Sequence, residues 1–217
     1  MSMKQLLLEL APPAQPDFDN FVIGANRELV EALRAAARGR FGERVIYVWG
    51  ESGSGKTHLA QAVGAAVEFA VVTAPQDAVP EMAQDSLVVV PDVQLLDAAN
   101  QIRLFNLINN LSAAAVFATG PCAPRDLALR RDLATRLASG LVYQVHALSD
   151  DEKAAALVAH ARARGFTLGD DIIAYLLRHV RRDMPSLIAV LDALDRYSLE
   201  CGRPVTLPLL KDALNLH

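Results

Sequence analysis

Residues 50–57 read Gly-Glu-Ser-Gly-Ser-Gly-Lys-Thr, a match to GxxxxGK[ST] set between the apolar run Val45–Trp49 and a helical stretch. No other segment limits the fold as strongly, because this loop works only between a strand and a helix N-terminus. Gly50, Gly53 and Gly55 let the backbone curl so that successive N–H groups point at phosphate oxygens, aided by the positive end of the following helix. Lys56 supplies a point charge for the outer phosphates and Thr57 a hydroxyl for magnesium. Glu51, Ser52 and Ser54 complete the loop, and His58 falls in the first helical turn, where packing explains it better than chemistry.

The rest of the chain supports that placement. Val45–Trp49, Phe69–Thr73, Leu87–Val90, Ala114–Ala118 and Leu141–Val145 are rich in apolar and β-branched residues and too short for helices, so they read as buried strands. Helical stretches at about 56–67, 98–111 and 125–138 alternate with them, which predicts a parallel sheet covered on both faces. An earlier helix is expected from Asn26, as cap, to about Arg40. After Val145 only helices are expected: one opened by the capping-box pair Ser149 and Glu152 and ending near Arg164, one at 170–180 capped by Asp170, one at about 184–200, and one at 207–214 capped by Thr206. Pro12, Pro13 and Pro16 make residues 1–17 an extended tail. The predicted organisation is thus a tail over 1–17, an α/β P-loop domain with a five-stranded parallel sheet over 18–147, and a small all-helical lid over 148–217.

Composition removes several function classes. With 21 basic and 25 acidic residues the chain has a formal charge of −4 and no overall field for a phosphate backbone. Cys122 and Cys201 stand far apart with no CxxC pattern, which argues against disulfides and zinc and for a reducing cytoplasm. The first residues lack a cleavage pattern for export, and no apolar run approaches the roughly 18 residues of a membrane span. The expectation is a soluble cytoplasmic protein.

A nucleotide hydrolase of the P-loop class needs acids at the end of a neighbouring strand, and Leu87–Gln94, LVVVPDVQ, is the candidate. Two consecutive acids usually end that strand. Here Pro91 takes the first place and Asp92 remains alone, either as a weak magnesium and water contact or as a strand-end cap. Slow or absent intrinsic hydrolysis follows.

With the motifs in this order, FDNFVIGAN (18–26), GKTHL (55–59) and PDVQLL (91–96) resemble the ATPase domain of the DnaA-type AAA+ proteins. LATRLASG (133–140), LSDDEKAAAL (148–157), RARGF (162–166) and LDALDRYS (191–198) resemble the DnaA-homologous inactivator (Hda) family within that group. The resemblance implies bound ADP or ATP with magnesium. It places Phe21, Val22 and Ile23 either beside the adenine or in the core of a lead-in loop. Thr119 becomes a sensor of the γ-phosphate or a strand-end hydroxyl, and Arg136 an arginine finger acting in trans or a solvated helix residue. The usual sensing arginine at the start of the helix at 184–200 is replaced by Pro185, with Arg181 and Arg182 as substitutes to consider.

The same resemblance makes Gln5, Leu6, Leu8 and Leu10 a peptide for the β sliding clamp of DNA polymerase III, with alternate leucines entering an apolar groove. DnaA is the implied second partner, and a homo-oligomer is compatible with the pattern. The helix-turn-helix domain of the initiators is not expected here, so sequence-specific DNA binding is not either. The implied function is negative regulation of replication initiation, by an ADP-bound protein that stimulates ATP hydrolysis in DnaA. An autonomous AAA+ ATPase, such as a helicase loader or remodelling ring, and a DnaA-like DNA-binding scaffold are the alternatives.

Overall fold

All five apolar runs form strands of one sheet in the computed structural model, which describes residues 15–38, 43–74, 76–81, 83–110 and 113–215. β1 (Val45–Trp49) lies between β4 (Ala113–Gly120) and β5 (Leu141–Gln144), and β3 (Ala83–Val90) joins β4 to the edge strand β2 (Ala70–Val72). Every pairing is parallel, in the order β2-β3-β4-β1-β5. The chain separates into a unit of Pro16–Ala147 and a unit built on Leu148–His217. The tail residues 1–14, including Gln5, Leu6, Leu8 and Leu10, lie outside the described residues.

Because strand side chains alternate, β1 feeds two cores. Ile46 and Val48 join Val89 and Phe117 on one face, packed with Leu29, Val30 and Leu33 of α1 (Arg27–Ala37) and Leu59 and Val63 of α2 (Lys56–Ala66). Val45 and Tyr47 join Val88, Val90 and Val116 on the other, packed with Leu104 and Leu107 of α3 (Ala98–Asn109) and Leu133 and Leu137 of α4 (Arg131–Ala138). Each fully buried side chain of this size contributes about 1.5–3 kcal/mol, so both helix layers are held mainly by apolar burial.

The ends of elements differ from the sequence reading in instructive ways. Asn26 precedes α1 but makes no side-chain cap, and α1 stops at Ala37. The buried Asn26 amide instead donates to the His146 carbonyl at 2.9 Å and accepts from the His146 N–H at 2.7 Å, joining residues 120 positions apart. The single helix expected at 125–138 splits into a 3-10 turn at Pro124–Asp126, with proline in its first turn, and α4.

The second unit holds α5 (Asp150–Ala163), α6 (Asp170–His179), α7 (Met184–Cys201) and α8 (Leu207–Asn215) around Leu157, Ile172, Leu176, Leu187, Leu191 and Leu209. The capping box is formed in both directions: Ser149 Oγ accepts from Glu152 N, and Glu152 accepts from Ser149 N. Asp170 is not the cap of α6, because Gly169 holds that place and Asp170 lies in the first turn, where its charge suits the helix dipole. Asp183 caps α7 through the Ser186 N–H, leaving Pro185 in the first turn, where a missing N–H costs nothing. Asp192 of α7 meets both His160 of α5 and Arg164 at the C-cap of that helix, and Asp195 takes Arg164 as well. Among the described residues no helix is long and apolar enough to cross a membrane.

Candidate nucleotide site

β1 ends at Trp49 and the phosphate loop starts at once, so the sheet aims residues 50–55 directly at the N-terminus of α2. The loop needs its glycines for different reasons. A Cβ on Gly50 would lie 2.5 Å from the Val145 carbonyl oxygen and 2.9 Å from Ser54 Oγ. Gly53 and Gly55 have φ of +78° and +103°, in the left-handed region that side chains disfavour. Gly55 is also crowded, since a Cβ there would sit 2.8 Å from the Phe21 ring.

Lys56 folds over the loop and its ammonium donates to the carbonyls of Gly50 and Glu51, both at 2.8 Å. Burial lowers its pKa, and the Asp92 carboxylate pulls it part of the way back. Thr57 is exposed in the first turn of α2. Glu51, Ser52 and Gly53 are exposed too, whereas Ser54 is buried and its hydroxyl has no partner among the described residues. A cradle that a methyl group would fill, a lysine poised over it and an orphaned hydroxyl beneath it fit the phosphates of a nucleotide.

Phe21 is buried and Val22 and Ile23 are half-buried in the lead-in to α1. The Phe21 ring lies 5.4 Å from that of His58, and His58 Nε2 is 2.8 Å from the Asp17 carbonyl oxygen. His58 therefore fastens the lead-in segment to α2.

After Val90 the chain turns sharply. Asp92 has φ +52°, and among the described residues no other non-glycine residue has a positive φ. Its N–H donates to Thr119 Oγ1 at 3.0 Å, and its carboxylate accepts from the Gln94 amide at 3.1 Å. Thr119 is buried at the end of β4, opposite Val48 in register. Thr57 and Asp92 are the groups that would hold magnesium here. Among the described residues no set of three or more His, Cys, Asp or Glu side chains could hold a metal ion by itself.

Arg136 is exposed on α4, whose buried face is Leu133 and Leu137. Its side chain has no ion pair or hydrogen bond among the described residues, while Arg130 is bound to Asp132 at 2.7 Å and Arg125 to Asp126 at 3.4 Å. In the lid, Arg181 faces Asp183, and Arg182 faces Asp150 and the Leu177 carbonyl. Sequence reasoning missed the Asn26–His146 clamp and the buried Tyr47 hydroxyl, which donates to the Cys122 carbonyl at 2.8 Å. Only Gly120, against which Tyr47 packs, carried a signal of the second.

Two family models match this chain, the Hda lid domain over residues 150–214 and the bacterial DnaA ATPase domain over residues 14–76. The lead-in and phosphate-loop region is thus similar to the DnaA ATPase domain and the C-terminal unit to the Hda lid. Its fold is similar to domain III of the Thermotoga maritima replication initiation protein DnaA, with a TM-score of 0.73 and 19% identity over 94% of this chain and 98% of that one. AMPPCP-bound DnaA from Aquifex aeolicus gives 0.69 and 19% over 86% and 67%. A Thermotoga maritima RuvB variant gives 0.70 and 15% over 97% and 73%. At such identities the likeness is one of fold, and the similarity to the DnaA ATPase and Hda lid families is that of residues 14–76 and 150–214.

Proposed function

We propose that this protein is a cytoplasmic negative regulator of DNA replication initiation that holds ADP in residues 50–57 and presents Arg136 to ATP bound by DnaA. Gln5, Leu6, Leu8 and Leu10 tether it to the β sliding clamp. Hydrolysis takes place in DnaA, and this chain supplies the charge. A guanidinium suits that task because its permanent charge and planar fork match the charge spreading over the transferred phosphoryl group, an effect of about 10³–10⁵ in rate.

The observation that carries the reading is on one short segment: Arg125 and Arg130 are paired with neighbouring aspartates, while Arg136, in the last turn of a well-packed helix, has no such partner among the described residues, and Arg131, at the helix start, serves as its control. The chain's own site is poorer in hydrolytic parts. Pro91 stands where an acid is usual, Asp92 is bound to Gln94, and Arg181 and Arg182 are engaged inside the lid. Bound ADP then persists as a structural ligand.

The test follows conversion of pre-bound ATP to ADP on DnaA, in the presence of clamp loaded on DNA. Wild type and Arg131→Ala are expected to accelerate it, and Arg136→Ala to lose the acceleration while still binding ADP. Undiminished stimulation by Arg136→Ala would sink the trans mechanism, and rapid ATP turnover by the chain alone would favour an autonomous ATPase. Replacing Leu6 and Leu8 by alanine should abolish the dependence on loaded clamp.

A further inference from the structure

The strand that delivers the phosphate loop also anchors the segment that leads to Arg136. Tyr47 is fully buried in β1, three residues before Gly50, and its hydroxyl donates to the Cys122 carbonyl at 2.8 Å. Cys122 lies between β4 and the turn at Pro124–Asp126, on the path into α4. A second bond joins the same two segments, from Gly50 N–H to the Gly120 carbonyl at 3.3 Å. Gly120 is required by the approach: a methyl group there would collide with the Tyr47 hydroxyl and stand 3.0 Å from Cζ.

The far end of α4 is tied to the same strand. Gly140 runs so close to Val45 that the Val45 carbonyl leaves no room for a Cβ. Between these ties α4 packs on β1, and its buried residues Leu133 and Leu137 share a core cluster with Tyr47. Burial raises the Tyr47 phenol far above its ordinary range, with Cys122 and Asp92 pushing the same way, so the hydroxyl stays a donor.

We infer that Tyr47 is a positioning residue that couples the phosphate loop to the Arg136 helix, so that nucleotide held at residues 50–57 sets how the arginine is presented. Lys56 grips the Gly50 carbonyl, and the Gly50 N–H grips Gly120, so loop movement around phosphates reaches the Gly120–Cys122 segment and then α4. The functional consequence rests on the reading of Arg136 given above. The coupling itself can be measured without DnaA.

Hydrogen exchange of residues 131–138 in the whole chain, with and without ADP, reads the coupling directly. ADP should slow exchange there roughly two- to thirtyfold in the wild type. Tyr47→Phe should bind ADP with unchanged affinity but lose that protection, and should lower the maximal rate of stimulated hydrolysis without changing the half-saturating DnaA concentration. Gly120→Ala should lose protection too, and combining it with Tyr47→Phe should restore part, because the hydroxyl it strikes is gone. Equal ADP-dependent protection in wild type and Tyr47→Phe overturns the coupling. So does a Tyr47→Phe protein that loses protection yet stimulates DnaA fully while Arg136→Ala does not. If Arg136→Ala stimulates normally, the finger reading fails, and the exchange comparison still decides the coupling.

Discussion

The Asp92 N–H and the Thr119 hydroxyl oxygen lie 3.0 Å apart, a bond that fastens the turn after β3 to the end of β4. Asp92 holds a left-handed backbone there, and the side chain of Thr119 is buried near the C-terminal end of β4. Thr119 accordingly has a structural task whatever it does toward a phosphate. Thr119→Val keeps the shape but removes the acceptor, which should cost about 1–3 kcal/mol. Thr119→Ser should retain most of that stability, and urea denaturation of both variants checks the order.

Alanine at the three loop glycines should separate crowding from backbone strain. Gly53 has open space around its Cβ position, so Gly53→Ala should cost only the left-handed penalty of about 1–2 kcal/mol and keep ADP binding. Gly50→Ala meets a backbone carbonyl that cannot swing away, and Gly55→Ala drives into Phe21 while also straining φ. Calorimetric titration with ADP should find binding abolished in these two. Equal affinity in all three variants would show that the loop rearranges freely.

The Lys56 ammonium should give ADP binding a distinct pH dependence. Its folded pKa lies below the ordinary 10.5 because burial disfavours the charge. In the nucleotide-free protein the unfolded chain thus keeps this proton to higher pH, so stability rises with pH between the lowered value and 10.5. ADP affinity should move the other way, falling once the pH passes the lowered value, since phosphates need the charged form. Lys56→Arg should show no such fall, because a guanidinium stays charged. ADP titrations from neutral to alkaline pH provide the measurement.

Asn26→Ala should destabilise the α/β unit more than loss of a helix cap would. Two backbone groups of His146 lose their partner, each worth about 1–3 kcal/mol when buried. Asn26→Asp keeps the acceptor for the His146 N–H and loses the donor to its carbonyl, so it should fall between alanine and wild type. Unfolding midpoints in urea, with hydrogen exchange at residue 146, would reveal the ranking.

Local pattern was enough for much of this protein. Short β-branched runs, the loop at residues 50–57 between strand and helix, and the Ser149–Glu152 box each depend on neighbours within a few positions, so their chemistry can be read along the chain. The proline at 91 and the lone acid after it were legible for the same reason. Tertiary structure decided what happened to groups whose partners are distant. Asn26 has the residue type and place of a cap, yet its amide bonds both backbone groups of residue 146 instead. Tyr47 looks like one more strand residue until β4 brings Gly120 and Cys122 beside it, and no local spacing announces a bond across 75 positions. Asp92 holds a left-handed backbone where the fold brings Thr119 to its N–H, and Arg125 and Arg130 met an aspartate at bonding distance while Arg136, among the described residues, did not. Periodicity and turn chemistry act over a few residues, while the burial of a polar group is settled by whichever partner the assembled sheet brings within reach.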